Sequence, residues 1–279
     1  MATQFWSLTK NPEFPLILAY NRGEVLDREA EPAQWQDDGR ALYGKDVPSG
    51  GTWLGISRTG KVAGLTNVFP PPPLRSMMVT RGTVVTTFLE SGTSLDDVVN
   101  ELRQNEDNLR AFITLLLPSV GGGAQLVTNN GDYGKVTARD LTPEEKVVGG
   151  FSNGIDGSVG TDWPNVKHGV EALTNLLDTV PPDVKPSQFT DRLFEILEWT
   201  AAKPPSNLQE TKKTILVDPF QATVGGGVTY IASRTSTIII VRKDGKALFI
   251  ERDLWEITRE GIRRARNPDR VFEFELVKE

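Results

Sequence analysis

The sequence predicts an α+β fold in which two mostly antiparallel sheets lie between layers of helices. Strand-like segments come in three groups along the chain, and segments of helical periodicity separate these groups. An apolar hairpin over residues 50–67, with glycines inside its strands, is typical of a tightly packed sheet centre. This order of elements favours two sheets, each covered by helices on its outer face. We expect a single domain spanning residues 1–279.

The first group begins with strands over residues 4–8 and 16–20, the second of them continuously apolar. The polar cluster Asn21-Arg22-Gly23-Glu24 follows it and is interpreted as lying at the end of a buried strand. Residues 25–45 are predicted to be irregular. The central hairpin then turns at residues 58–60, where Gly60 provides positive φ. Prolines 70–73 predict a stiff polyproline segment.

Helices are predicted over residues 81–89, from a Ser94 cap onward, over 166–177, and after a Ser187 cap. Apolar stretches at 111–117 and 124–128 predict strands of the second sheet, which 133–138 and 147–152 continue. The last group comprises strands at 228–232, 237–242, 247–251 and 271–276, with Lys243-Asp244-Gly245 as a hairpin turn.

Composition excludes several classes of function. Lys and Arg number 31 and Asp and Glu 37, a net charge of −6, which gives no electrostatic basis for binding nucleic acid. No apolar run is long enough to span a membrane, and residues 1–10 lack the pattern of a signal peptide, so we expect a cytoplasmic protein. Without Cys and with only His168, thiolate and multi-histidine metal sites are excluded; no metal or cofactor is predicted. Composition leaves the oligomeric state open.

The polar cluster and the hairpin together resemble a known family. The stretch 16–24, the hairpin strand 50–57 and Leu65-Thr66-Asn67 are similar to the NRDE-motif family, the transport and Golgi organisation protein two-like proteins. The resemblance continues in the same order through nearly the whole chain, in Arg81-Gly82, Gly150-Phe151-Ser152-Asn153, Asp162-Trp163-Pro164 and Ser233-Arg234-Thr235-Ser236-Thr237.

The resemblance implies the four-layer αββα fold of N-terminal-nucleophile hydrolases. In that class, the residue after the initiator Met supplies the nucleophile, and its freed α-amine acts as the base. Ala2 occupies the nucleophile position here, so the chain as written cannot run the covalent step. Either Ala2 is natural or a native Cys has been replaced. The family motif also has Asp where this chain has Gly23.

The resemblance further implies which residues form the site. Arg22 and Arg234 would favour a carboxylate or a developing oxyanion, and Asn67 and Asn153 would be polar groups near the reacting carbonyl. Each Asn could equally cap a turn, and Arg234 could pair structurally with Glu24 or Glu251. The expected catalytic residues are Ala2 (nucleophile position), Arg22, Asn67, Asn153 and Arg234. The expected ligand-binding residues are Glu24, Trp6, Trp53 and Phe69.

Two functions follow from these observations. The first is acyl transfer or amide hydrolysis on a small acyl- or carboxylate-bearing molecule, if residue 2 is natively Cys. The alternative is a non-catalytic carrier of haem or acyl-lipid, linked by the resemblance to intracellular trafficking and Golgi organisation. Haem is the weaker cargo, because without Cys and with one His an axial ligand would have to be Tyr or Met.

Overall fold

A computed structural model describes residues 1–36, 39–69, 80–129, 134–157, 160, 162–181, 184–224 and 226–277. Its strands are β1 (Thr3–Ser7), β2 (Leu16–Val25), β3 (Ala30–Trp35), β4 (Ala41–Asp46), β5 (Leu54–Ser57), β6 (Val62–Asn67), β7 (Phe112–Leu117), β8 (Gln125–Thr128), β9 (Thr137–Asp140), β10 (Gly149–Phe151), β11 (Phe220–Val224), β12 (Gly227–Val241), β13 (Lys246–Asp253), β14 (Trp255–Thr258), β15 (Gly261–Arg264) and β16 (Arg270–Glu275). Its α-helices are α1 (Gly82–Glu90), α2 (Leu95–Gln104), α3 (Pro143–Val147), α4 (Pro164–Thr179) and α5 (Pro186–Leu197).

The described residues form two compact units. The first comprises Met1–Arg28, Pro143–Ser152 and Thr161–Phe274, and the second comprises Glu29–Thr142, Asn153–Gly160 and Glu275–Glu279. The single domain expected over residues 1–279 stays a prediction, and each unit is described by itself. No helix among the described residues is long and apolar enough to cross a membrane.

The first unit is built on a seven-stranded sheet in the order β10-β1-β2-β12-β13-β16, with β11 paired to β12. Helices α4 and α5 cover one face, where Ile17 and Ala19 of β2 pack with Phe5, Leu173 and Leu193. These β2 residues alternate with Leu16, Leu18 and Tyr20, which point to the opposite face because side chains alternate along a strand. Strands β14 and β15 form a separate antiparallel pair.

The second unit is a seven-stranded sheet whose strands follow chain order from β3 to β9. Helices α1 and α2 pack on it through Val85, Phe88 and Val99, which join Ala63 and Leu116 in one core. Every strand pair recorded in this sheet is antiparallel. The predicted α+β class with two mostly antiparallel sheets is therefore confirmed.

Several local predictions are confirmed. The central hairpin consists of β5 and β6, and Gly60 between them has φ +86°. Ser94 caps α2 by accepting a hydrogen bond of 3.2 Å from the Asp97 amide. The turn before β13 contains Gly245 at φ +86°. In each case neighbours in the sequence determine the conformation.

Other local predictions are wrong. Asn21–Glu24 lies at the end of β2, as expected, but residues 25–45, predicted to be irregular, contain β3 and most of β4. Strand β10 belongs to the sheet of β1, whereas the sequence predicted it in the second sheet. Helix α5 begins with Pro186, so Ser187 lies inside the helix and is not its cap. The predicted polyproline segment falls mainly outside the described residues.

Strand β12 corrects the prediction around Arg234. The sequence predicted two strands here, but residues 227–241 form one strand with a shift in register between Ser233 and Thr235. Such a bulge re-aims a side chain without breaking the strand. Glu251 pairs with Arg270 at 3.0 Å, and Arg270 also reaches Asp253.

This ion pair generates a stability prediction. Glu251 is 1% exposed, so Arg270→Ala removes the cation from a buried carboxylate and should lower the free energy of unfolding by about 3 kcal/mol. The matched control is Arg263→Ala, because Arg263 pairs with Glu256 at the surface and should contribute under about 1 kcal/mol. Urea unfolding of both variants measures the difference. Equal losses of unfolding free energy in the two variants would show that the buried Arg270 pair stabilises the fold no more than the surface pair does.

Candidate functional site

Position 2 is held at the beginning of β1, beside β2. Thr3 pairs with Asn21, so the antiparallel register continued by one residue places Ala2 beside Arg22. Both residues are buried. The Ser152 hydroxyl donates to the Ala2 carbonyl at 2.8 Å, and the Asn165 amide donates to Ser152 Oγ at 3.3 Å. The backbone at position 2 is therefore fixed both by strand pairing and by a buried side-chain relay.

Ser152 and Asn165 were not among the site residues expected from the sequence. A signal for both was present, since Ser152 lies in the motif Gly150–Asn153 and Asn165 directly follows Asp162-Trp163-Pro164. Neither could be assigned to residue 2 by local pattern, because their partners are more than ten residues away in sequence.

Asn21 anchors β2 to the helical side of the unit. Its amide nitrogen donates to the carbonyls of Leu197 at 2.8 Å and Ile215 at 3.2 Å. Its amide oxygen accepts a hydrogen bond of 2.6 Å from Ser236. Because these bonds use both ends of the amide, Asn21 stabilises the strand that carries Arg22 and has no need of a ligand.

Met1 lies against Gly23. A Cβ atom at position 23 would stand 1.8 Å from the Met1 carbonyl oxygen and 2.2 Å from its nitrogen, far inside van der Waals contact. The backbone of Met1 thus occupies the space that any side chain at position 23 would need. Gly23 is the residue that makes this close approach possible.

The α-amine of Met1 is buried, and its pKa is lowered from 8.0 to about 6. Loss of solvation on burial is the main cause, and the nearby carboxylate of Glu24 opposes it. Glu24 in turn accepts a hydrogen bond of 2.8 Å from the Val25 amide and lies 3.8 Å from Arg28 Nε. A neutral amine is therefore favoured at this place.

Arg234 lies at the bulge of β12, next to the part of β2 that carries Arg22 and Gly23. Its guanidinium donates to the carbonyl of Arg28. Its positive charge also helps to lower the pKa of Asp253. Burial alone would raise this pKa, but hydrogen bonds from Arg270 and Asn267 outweigh burial, so the pKa is lowered overall. In the first unit, Ala2, Arg22, Glu24 and Arg234 thus lie on or beside the neighbouring strands β1, β2 and β12.

Trp6 belongs to the core of the first unit. It lies four residues along β1 from Ala2, about 13 Å at the rise of a strand. Its indole nitrogen donates to the Glu145 carbonyl at 2.9 Å, and its ring packs on Phe151 with centroids 5.6 Å apart. Its expected role as a pocket wall stays a prediction.

The other expected site residues belong to the second unit. Asn153 donates from its side-chain amide to the Asn67 carbonyl at 2.6 Å, and its own carbonyl accepts from the Phe69 amide at 2.7 Å. The Asn67 side chain is exposed, whereas Trp53 is buried, with its ring close to Gly44. Asn67, Phe69 and Asn153 are thus adjacent, and their expected roles as oxyanion donors and ligand contacts stay predictions.

The chain is similar to known proteins over most of its length. Residues 1–256 match the family described as Transport and Golgi organisation 2. The chain belongs to this family. The mouse "Transport and Golgi organization 2 homolog" is 30% identical over 255 residues, covering 86% of this chain and 87% of its own. The human homologue is 28% identical over 253 residues, with 87% and 88% covered.

Solved structures of two variants of conjugated bile acid hydrolase from Clostridium perfringens have a similar fold. Their TM-scores are 0.52 and 0.50 at 8% identity, and the match covers 99% and 100% of this chain and 98% of each of theirs. The predicted N-terminal-nucleophile-hydrolase-like fold of this Transport and Golgi organisation 2 family member is therefore confirmed. Identity this low carries the fold alone.

The buried amine predicts a pH dependence of stability. Because its pKa is about 6 in the fold and 8.0 in the unfolded chain, the unfolded state binds more protons between these values. The free energy of unfolding should be highest above pH 8 and should fall by about 2–3 kcal/mol as the pH is lowered to 6. Urea unfolding across this range measures it. His168 also has a lowered pKa, so His168→Gln is the control and should retain the fall. If the stability of the His168→Gln protein did not change between pH 8 and pH 6, the fall could not be assigned to the Met1 amine.

The contact between Met1 and Gly23 predicts that Gly23→Ala destabilises the Met1-bearing protein by about 1–3 kcal/mol, since the new methyl group collides with backbone atoms. Gly92→Ala is the matched control, because a Cβ there meets nothing within 4 Å. Urea unfolding compares the two. If Gly23→Ala is as well tolerated as Gly92→Ala, then Met1 does not occupy this place.

Proposed function

We propose that this protein binds a small acyl- or carboxylate-bearing molecule at residue 2, in a site of the type that N-terminal-nucleophile hydrolases use for amide cleavage or acyl transfer. The observation that carries the proposal is the fixed, buried backbone of Ala2 beside the guanidinium-bearing strand β2. A conjugated bile acid hydrolase shares the fold, and its name describes cleavage of a conjugate. The preference for negative charge comes from Arg22 and Arg234.

The chemistry depends on what stands at residue 2. With a Cys there and Met1 removed, the residue-2 amine would accept the thiol proton while the sulfur attacks the substrate's carbonyl carbon. Collapse of the tetrahedral intermediate would expel the leaving amine, which takes up that proton, and water would then hydrolyse the thioester. Ala2 provides no attacking atom, so as written the site can bind but cannot form the acyl intermediate.

The second candidate is a non-catalytic carrier, and Ala2 itself favours it. Burial of an inert methyl at the nucleophile position is compatible with binding without turnover. Acyl-lipid is the cargo in keeping with the proposed site. Haem remains the weaker choice, because Tyr20, one of the side chains that could ligate iron, is buried in the sheet with 1% exposure. The cytoplasmic location expected from the sequence stays a prediction.

A restored thiol tests the enzymatic proposal. Ala2→Cys protein that begins at residue 2 should be acylated by p-nitrophenyl acetate about 100-fold faster than a free peptide Cys, because a positioned amine assists deprotonation. Intact mass and released nitrophenolate measure the reaction. The matched control is the same variant with Met1 retained, where that nitrogen lies in a peptide bond and cannot act as a base. Rates equal to the peptide in both forms would leave the carrier as the better proposal.

A further inference from the structure

The space above Gly23 is a recess that the chain's own first residue fills. Met1 oxygen, nitrogen and carbonyl carbon lie 1.8, 2.2 and 2.3 Å from the position of the missing Cβ. A side chain of any other residue would occupy this volume. Removal of Met1 would therefore leave an unfilled volume over strand β2, because pairing with β1 up to Asn21 and with β12 at Gly23 itself keeps the strand from collapsing into it.

Removal of Met1 also moves the chain's α-amine from Met1 to Ala2. The nitrogen of Ala2 is bonded to the Met1 carbonyl carbon, so it lies no further than about 3.6 Å from the missing Cβ, given a C–N bond of about 1.33 Å. As a new chain terminus it becomes an α-amine at the wall of the recess. An ammonium in a buried place is costly unless a partner of opposite charge is present.

Glu24 is the nearby carboxylate, and it is already engaged. Its oxygens accept the Val25 amide hydrogen and face Arg28. The backbone of Met1 also gives the shape of the volume: a planar carbonyl group with one carbon attached to it. Acetate likewise has a planar carbonyl carbon with one carbon attached to it, and its four heavy atoms equal in number N, Cα, C and O of Met1.

We propose that, once Met1 is removed, the recess over Gly23 binds a small monocarboxylate group, with one oxygen in the place of the Met1 carbonyl oxygen and the residue-2 ammonium as its partner. The inference rests on the proposed function, because it places the ligand's carboxylate at residue 2. It also assigns Gly23 a role in specificity: any side chain at position 23 closes the recess. Met1 acts as an internal occupant that excludes the ligand.

Acetate is the probe, and three proteins test the proposal: the Met1-bearing chain, the chain that begins at Ala2, and the Ala2-initiated chain with Gly23→Asp, which supplies its own carboxylate. Melting temperature is measured against acetate at constant ionic strength and pH, with chloride as the balancing anion. The Ala2-initiated chain should show a saturable rise of about 2–4 °C near tenfold excess over Kd. The other two should show none.

Each alternative outcome overturns the inference. Equal shifts in all three proteins would mean a general anion effect, and no shift in the Ala2-initiated chain would mean no site. If Gly23→Asp prevents folding, Gly23→Ala in the Ala2-initiated chain closes the recess with one methyl group and should abolish the acetate shift. The acylation of Ala2→Cys is a separate measurement: acetate binding without acylation would retain the recess and remove the enzymatic proposal, and acylation without acetate binding would do the reverse.

Discussion

The structure of the first unit depends on the register of β2. This ten-residue strand is paired along one edge with β1 and along the other with β12. Ile17, Ala19 and Asn21 point to the helices, and Arg22 therefore points away from them. A slip by one residue would direct the guanidinium into the apolar layer of α4 and α5, where burial of a charge is costly. Asn21 secures the register, since its amide bonds join β2 to Leu197, Ile215 and Ser236.

The geometry at residue 2 follows from that register. Once Thr3 is opposite Asn21, Ala2 comes next to Arg22, and Met1 is carried onto Gly23. The bulge in β12 then sets Arg234 beside the same part of β2 without interrupting the strand. Two guanidinium groups thus lie on adjacent strands, and the carboxylates of Glu24 and Asp253 are close to them.

The parts of the fold that could be predicted from sequence are those determined by neighbouring residues. Gly60 and Gly245 provide the positive φ that short turns need, and Ser94 caps the helix that follows it. Asn21–Glu24 could be placed at the end of a strand, but the partners of Asn21 could not be named, because they lie about 175 to 215 positions away. Strand β10 has three residues, too few to show a period, so its sheet could not be chosen.

The candidate site shows the same division. Ala2, Arg22 and Arg234 were predicted as site residues through a family resemblance, because a series of separated motifs carries information that no local pattern contains. Ser152 and Asn165 were missed as site residues, although their motifs were visible, because hydrogen bonding to the residue-2 carbonyl is a property of the folded chain. The close contact of Met1 with Gly23 is likewise invisible in sequence, since it joins residues brought together by strand pairing.

Residues 2 and 23 have linked physical effects. Burial lowers the pKa of the Met1 α-amine, which lies against Gly23, to about 6, and this keeps that amine neutral near pH 7. A carboxylate at position 23 would oppose that effect by stabilising the ammonium, so Gly23 leaves burial as the dominant influence. A neutral amine is useful as a base only if an acidic nucleophile is attached to the same residue, and Ala2 has none. Ala2 therefore brings no nucleophilic atom to this place, and Gly23 leaves the space over β2 to the backbone of Met1.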